Sequence, residues 1–384
     1  MKKIGIVTVY TGFNYGSSLQ AYASKKIYKK LGYKSEILGF SSSLVKGRDI
    51  RIEKLLIMFL RTIWRPKLLI KTFFTYKKTL NKNITQGSKE KFFKFSEKYL
   101  KVNKMNKKEM RRYGKEKEVV ALICGSDQIW SSIAIYVDPF YYLRYFPIEK
   151  RVAYAPSFGK DIVPYYNKKI IKKYLTEINY ISVREQQGKK IIKELINKEV
   201  QVLLDPTLLL NRKEWFENID EINISPNEKY GLFYFLDIPN NLTLENLKKI
   251  QEKEKIKIIG IPTSLQGIES LTLDTGPIEF LNLINNAEFI CTDSYHGMLF
   301  SINFNKPFYI FERNYGNSHN QNSRIVSILE ILKLKERYVK NKSLEEINWN
   351  TDWNSVNEQL KLERKKAKDY IVNALEKIEE KDEE

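Results

Sequence analysis

The chain has 384 residues, 42% of them hydrophobic and 29% charged, and a formal charge of +20. That length holds two domains with sizeable cores, and the composition is that of a soluble globular protein. No run approaches the roughly 20 apolar residues that span a bilayer, and the two cysteines, Cys124 and Cys291, lack metal-ligand spacing, so two reduced thiols in a cytoplasmic protein are expected.

The opening residues could be mistaken for a signal peptide, but their apolar part is too short and reads as a buried first strand over residues 4–9. Residues 12–18 form a turn-rich loop. A helix opens at Leu19 and runs to Leu31, where Gly32 suits the C-cap. Residues 35–40 complete a βαβ start, which argues for an open parallel sheet.

The charge is concentrated next. Residues 46–117 hold 23 Lys or Arg against 6 Asp or Glu. This segment reads as a mostly helical insertion, broken at Pro66, with apolar and aromatic residues between its basic ones. It is either a membrane-surface helix or an insertion whose apolar side packs on the domain. A basic patch attracts nucleic acid, anionic headgroups or phosphorylated substrates, and no nucleic-acid-binding motif accompanies it, which ranks nucleic acid last.

Strands are expected at 119–124, 151–155, 180–183 and 200–204. Each ends in a small or polar cluster, as in a crevice lined by strand C-termini. A second α/β set begins near Tyr230, with strands at 231–236, 257–260, 288–290 and 306–311 and helices at 242–253, 278–284 and 323–332. The tail from Ser355 onward reads as one charged helix. The fold class is therefore α/β: two Rossmann-like domains facing across a cleft in a GT-B-like arrangement, with the basic insertion in the first and a long C-terminal helix. The expected boundaries are 1–210, a linker at 211–227, 228–345, and a tail at 346–384.

The run Cys291-Thr292-Asp293-Ser294-Tyr295-His296-Gly297-Met298 joins a strand to a helix that begins near Leu299. Such junctions turn free N–H groups and the helix dipole toward a crevice. His296 is one of two histidines in the chain. It reads as an acid/base group or as a packed imidazole at a helix start. The other, His319, lies in a polar loop, either a lid or solvated surface.

In order and spacing, five strings with the closing Asn322-Ser323-Arg324 resemble the polysaccharide pyruvyl transferase family over roughly residues 1–335. They are Asn14-Tyr15-Gly16 with Leu19-Gln20, Cys124 through Trp130, Ser182-Val183-Arg184-Glu185, Asp205-Pro206-Thr207, and Thr292 through Gly297. The resemblance implies transfer of the enolpyruvyl carbons of phosphoenolpyruvate to a sugar as a ketal, on a fold related to GT-B glycosyltransferases. It places phosphoenolpyruvate on the second domain and a sugar acceptor of a cell-envelope or exopolysaccharide repeat unit on the first. His296 corresponds to the family's motif histidine, and Arg184 to its cleft arginine.

The chemistry then assigns expectations. His296 and Arg184 are the catalytic pair. Phosphoenolpyruvate, with its phosphate and carboxylate, is expected on Arg184, Ser294, Tyr295, His296, Gly297, Arg313 and Arg324. Asn14, Tyr15, Gln20, Asp127 and Gln128 are the acceptor candidates. Arg184 has an ion pair with Glu185 or another cleft carboxylate as its alternative, Asp127 a helix-capping role, and Gly16 a tight turn. Asp205 is read as shaping a turn, and Asp293 as orienting His296 or capping its helix. No metal and no cofactor beyond the donor substrate are expected. A lipid-linked acceptor would give residues 46–117 a role at the inner membrane face. The alternatives are a GT-B glycosyltransferase using a nucleotide sugar and a non-catalytic glycan-binding relative.

Overall fold

Strand β1 (Lys3–Val7) is apolar and buried apart from its first residue, so it needs a neighbour on each side. It has them in β2 (Lys34–Phe40) and β4 (Val119–Cys124), both parallel, with Ile4 opposite Ser35 and Ala121. A computed structural model describes residues 1–41, 56, 58–60, 84–217, 219, 228–262, 265, 267–313 and 322–383.

The first sheet is completed by β3 (Asn103–Met105), β5 (Arg151–Ala153), β6 (Tyr180–Val183) and β7 (Gln201–Val202), in the order β3-β2-β1-β4-β5-β6-β7. The second holds β8 (Tyr230–Tyr234), β9 (Lys257–Ile261), β10 (Leu271–Thr272), β11 (Phe289–Thr292), β12 (Phe308–Phe311) and β13 (Tyr338–Val339), in the order β10-β9-β8-β11-β12-β13. Every pairing is parallel. Both orders reverse direction at the central strand, as in Rossmann sheets, and that reversal opens a ligand crevice at the strand C-termini. The chain thus consists of two Rossmann-like α/β units.

The helices in chain order are α1 (Tyr15–Lys30), α2 (Gln86–Phe95), α3 (Lys107–Tyr113), α4 (Tyr165–Leu175), α5 (Gln186–Ile196), α6 (Pro206–Leu209), α7 (Arg212–Phe216), α8 (Asn241–Glu254), α9 (Pro277–Asn286), α10 (Tyr295–Asn303), α11 (Ser323–Ile331) and α12 (Trp353–Glu383). Helix α1 starts four residues before Leu19. Asn14 caps it by accepting the Ser17 N–H at 3.1 Å, so residues 15–18 of the expected loop are its first turn and only 12–14 remain loop. The same correction applies to α10, which begins at Tyr295 because Ser294 Oγ accepts the Gly297 N–H.

The basic stretch is not wholly an insertion. After α2 and a π turn (Ser96–Leu100), β3 joins the sheet beside β2. Three residues with a lysine in the middle carry no readable alternation, which hid this strand. Of the basic stretch 46–117, with its reading as a membrane-surface helix, residues 46–55, 57 and 61–83 lie outside the described residues, as does His319. Among the described residues no helix is long and apolar enough to cross a membrane. The region 211–227 begins with α7, whose capping box pairs Asn211 with Glu214; residues 218 and 220–227 lie outside the described set. Cys124 and Cys291 are both free and buried.

One apolar core runs through both units. Tyr15 is a main link: its ring stacks on Phe280 at 4.6 Å and on Phe92 at 5.2 Å, with Tyr234 edge-on at 5.6 Å. Each such pair adds about 0.5–1.5 kcal/mol beyond its buried area. Helix α12 buries Val356, Leu360, Ala367, Ile371, Ala374, Leu375 and Ile378, an apolar stripe at helical spacing. It returns to the first unit, where Tyr370 Oη donates to Ala153 O at 3.1 Å and Lys2 meets Glu379 at 3.0 Å.

Candidate active site

Both sheets present their C-terminal ends to a cavity of about 270 Å³. The first unit lines it with Val9, Asn14, Ser17, Asp127 and Gln128, the second with Leu236, Ser294, Tyr295, His296, Arg313 and Arg324. The starts of α1 and α10 meet at this wall, and both helix dipoles make it attractive to anions.

The contact between the two helices is close. A β-carbon on Gly16 would lie 2.0 Å from His296 Nδ1. Gly16 therefore serves no tight turn: it sits inside α1, and its missing side chain is the space the imidazole occupies. Gly16→Ala is expected to push the ring aside and lower turnover at least about tenfold through misplacement, with the far-UV spectrum unchanged. Wild-type kinetics for that variant would show that the ring position is immaterial.

On its other side His296 faces Asp205. Nε2 is buried, has no hydrogen-bond partner, and lies 3.7 Å from Asp205 Oδ2. Asp205 caps α6, its Oδ1 accepting Thr207 N–H at 3.0 Å and Thr207 Oγ–H at 2.8 Å. Its Oδ2 accepts from Arg184 at 2.7 Å and from Ser126 Oγ at 3.0 Å. The turn reading of Asp205 is thus half of its role. Burial opposes the Asp205 charge, but His296, Arg184 and the Thr207 N–H outweigh it and hold the carboxyl well below the usual carboxylate range.

Arg184 stands behind the cavity wall, not on its surface. Its side chain is wholly buried, 3.9 Å from Asp127 and with its guanidinium 4.6 Å above the Tyr295 ring. The alternative ion pair with Glu185 does not form; Glu185 accepts instead from Ser157 Oγ and the Phe158 N–H, and burial raises its pKa. Burial also works against the Arg184 charge, yet Tyr295 and the Asp205, Asp127 and Glu185 carboxylates hold it firmly protonated. Arg324 approaches the same Tyr295 ring at 5.2 Å, so one tyrosine seats two guanidiniums.

Asp293 neither orients His296 nor caps its helix. It accepts the Leu236 N–H at 2.7 Å and the Asp237 N–H at 3.2 Å, and receives Arg313 Nε at 3.1 Å. This anchors Arg313 at the cavity rim, with Asp237 3.6 Å away. Burial raises the Asp293 pKa, with Arg313 as the main opposing influence.

On the facing wall, Asp127 Oδ2 accepts Ser17 Oγ–H at 2.5 Å and Oδ1 accepts the Gln128 N–H at 2.8 Å. Asp127 has a left-handed φ of 66° and caps no helix. Burial opposes its charge, but His296, Arg184 and the Ser17 bond lower its pKa.

Of the expected acceptor residues, Asn14, Asp127 and Gln128 share the cavity. Gln20 does not: it is fully buried, and its amide N–H groups go to Thr8 Oγ1, Val9 O and Ser17 O. Tyr15 stands in the wall behind, its hydroxyl bonded to Thr275. Gly297 lies behind Ser294, its N–H already taken by the cap and its Cα facing Thr292 and Tyr234. Ser17 and Asp205 are the site residues that the sequence reading did not select as functional, one left inside the loop at 12–18 and the other read as shaping a turn. The signal for Asp205 was its place just after a strand, and for Ser17 its place at the start of a helix.

A family model for polysaccharide pyruvyl transferase matches residues 14–315. A search of curated proteins found no match. Among solved structures the chain is similar to a UDP-N-acetylglucosamine 2-epimerase, at 11% identity and TM-score 0.47, covering 96% of this chain and 90% of that one. It is also similar to MnaA of S. aureus with UDP, at 10% and 0.46, covering 94% and 87%. MurG of Acinetobacter baumannii gives 10% and 0.44, covering 98% and 100%. Likenesses this distant say nothing about what this chain binds. The family match covers most of the chain and every residue that lines the cavity except Val9 and Arg324, and on it this chain belongs to the polysaccharide pyruvyl transferase family.

Proposed function

We propose that the chain transfers the enolpyruvyl unit of phosphoenolpyruvate to a sugar of a cell-envelope or exopolysaccharide repeat unit, forming a ketal and releasing phosphate. The observation that carries this reading is the single imidazole of His296 in a small cavity, with Arg313 and Arg324 on its side and Asp127 and Gln128 opposite.

The chemistry follows from that arrangement. The phosphate and carboxylate of the donor lie against Arg324, Arg313 and the start of α10. His296 delivers a proton to the methylene carbon of the enol, a sugar hydroxyl attacks the carbon bearing the phosphate, and that hydroxyl's proton returns to the imidazole. A second hydroxyl of the same sugar then displaces phosphate and closes the ring; the imidazolium gives its proton to the departing phosphate and takes the one this hydroxyl releases. Asp127 and Gln128 orient the two hydroxyls. Arg184 and Asp205 hold Tyr295 and His296 in place and touch no substrate, so Arg184 is a positioning residue. A lipid-linked acceptor would place the enzyme at the inner membrane face.

Thermal unfolding with candidate donors tests the donor half. Phosphoenolpyruvate at about 100 times its Kd should stabilise the chain by about 2.7 kcal/mol, and uridine nucleotides should not. Stabilisation by nucleotides alone would reject pyruvyl transfer. Incubation with phosphoenolpyruvate and lipid-linked glycans of the host, followed by a search for a pyruvate mass increment, identifies the acceptor.

A further inference from the structure

At the opposite edge of the first sheet, where β1 and β2 begin, lies a second cavity of about 780 Å³. The later half of α1 lines it with Lys25, Lys26 and Lys29. Lys98 and Lys101 come from the π turn and its end, and Lys34 from the start of β2. Glu36, paired with Lys34 at 3.1 Å, is the one carboxylate among the described residues that line it.

The fold accounts for part of this crowding, with Lys26 over the Tyr22 ring at 5.3 Å and Lys98 over the Tyr99 ring at 5.2 Å, but neither ring neutralises a charge. Lysines in the last turn of α1 complement its dipole, but Lys98 and Lys101 belong to another element and point at the same space. Lys25 is held there by Tyr99 O and Leu100 O at 3.3 and 2.8 Å. Burial lowers the pKa of Lys25, and Lys101, Lys26 and Lys29 lower it further against the opposing pull of Glu36. Burial likewise lowers Lys26, with Lys29 and Lys30 adding to it. Like charges gathered around a hollow repel one another unless an anion shares it.

A second observation points the same way. Tyr22 lines the cavity and is 99% buried, yet its hydroxyl has no hydrogen-bond partner. Burial raises its pKa, with Tyr99 adding to the rise, so it is a donor in need of an acceptor. Ammonium groups supply none. Phosphate oxygens would satisfy the phenol and the lysines together.

We propose that this cavity binds a phosphate-bearing ligand, its phosphate oxygens held by the lysines of α1 and the π turn and by the Tyr22 hydroxyl. The chemistry is the same for a soluble phosphate compound and for an anionic lipid headgroup. The site is separate from the cleft, so the proposal stands without the pyruvyl-transfer reading.

Two arms on the full chain test it. In the first, inorganic diphosphate is titrated calorimetrically into the wild type, into Arg313→Gln/Arg324→Gln to remove anion binding in the cleft, and into Lys29→Gln/Lys101→Asn. Asparagine is chosen because position 101 has a φ of 49°, which it tolerates. In the second, the same chains are floated with vesicles of phosphatidylglycerol and phosphatidylcholine, or of phosphatidylcholine alone. Saturable diphosphate binding that survives the cleft variant and weakens about tenfold or more in the lysine variant supports a soluble ligand. Flotation with the anionic vesicles that the lysine variant loses supports the headgroup. Tyr22→Phe should weaken whichever binding is seen and melt no lower than wild type, because it removes an unmade hydrogen bond. Absence of binding in both arms, or binding unchanged in the lysine variant or in Tyr22→Phe, overturns the proposal.

Discussion

Replacing His296 by alanine is expected to lower phosphate release from phosphoenolpyruvate by about 10²–10⁴-fold, the range for loss of a positioned acid/base group. The imidazole is the one side chain lining the cleft that is built to exchange protons near neutral pH. The chain should stay folded, since Nε2 has no hydrogen bond to lose. His296→Gln fills the space beside Gly16 and should be as inactive. Both variants should still be stabilised by phosphoenolpyruvate through Arg313 and Arg324. Turnover retained in either would remove His296 from the mechanism.

The second large effect is on stability. Arg184→Met leaves the Asp205 carboxylate buried without the guanidinium that donates to it at 2.7 Å. Breaking a buried pair from one side costs about 3–5 kcal/mol, to be read from denaturant midpoints. Arg184→Met/Asp205→Leu should recover part of the loss, since the charge left behind is then gone. The sign with pH is defined. Asp205 is held below its unfolded value, so its pairing stabilises the fold above about pH 4. That contribution fades as pH falls further, and the gap between wild type and Arg184→Met should narrow in acid. A variant with the wild-type midpoint but no turnover would instead put the guanidinium on the substrate.

These two residues also mark where sequence reading succeeds and stops. His296 was legible because histidine is scarce here and this one follows a buried strand. Arg184 was legible as a strand-end cation with a cleft carboxylate as its alternative partner, but which carboxylate was not. Glu185 is adjacent in sequence, whereas Asp205 arrives from the end of β7 and caps a different helix. Gly16 shows the same limit. Its neighbours in the chain suggest a turn, and only the approach of α10 shows that the space belongs to an imidazole 280 residues away.

Most of the strands and the identity of the strand-end clusters follow from local patterning, because apolar runs, small polar stops and helix caps are encoded within a few residues, whereas the strand order comes from pairings between distant segments. So the sequence alone determined two Rossmann-like units, a long terminal helix and the family. Tertiary structure decided which of the polar residues face the cavity and which are consumed as supports. Gln20, Tyr15 and Arg184 look as functional as Asn14, Asp127 and Arg324 in the linear chain. The difference arises because a buried polar group must find its partners inside the fold, and those partners come from elements that periodicity cannot bring together.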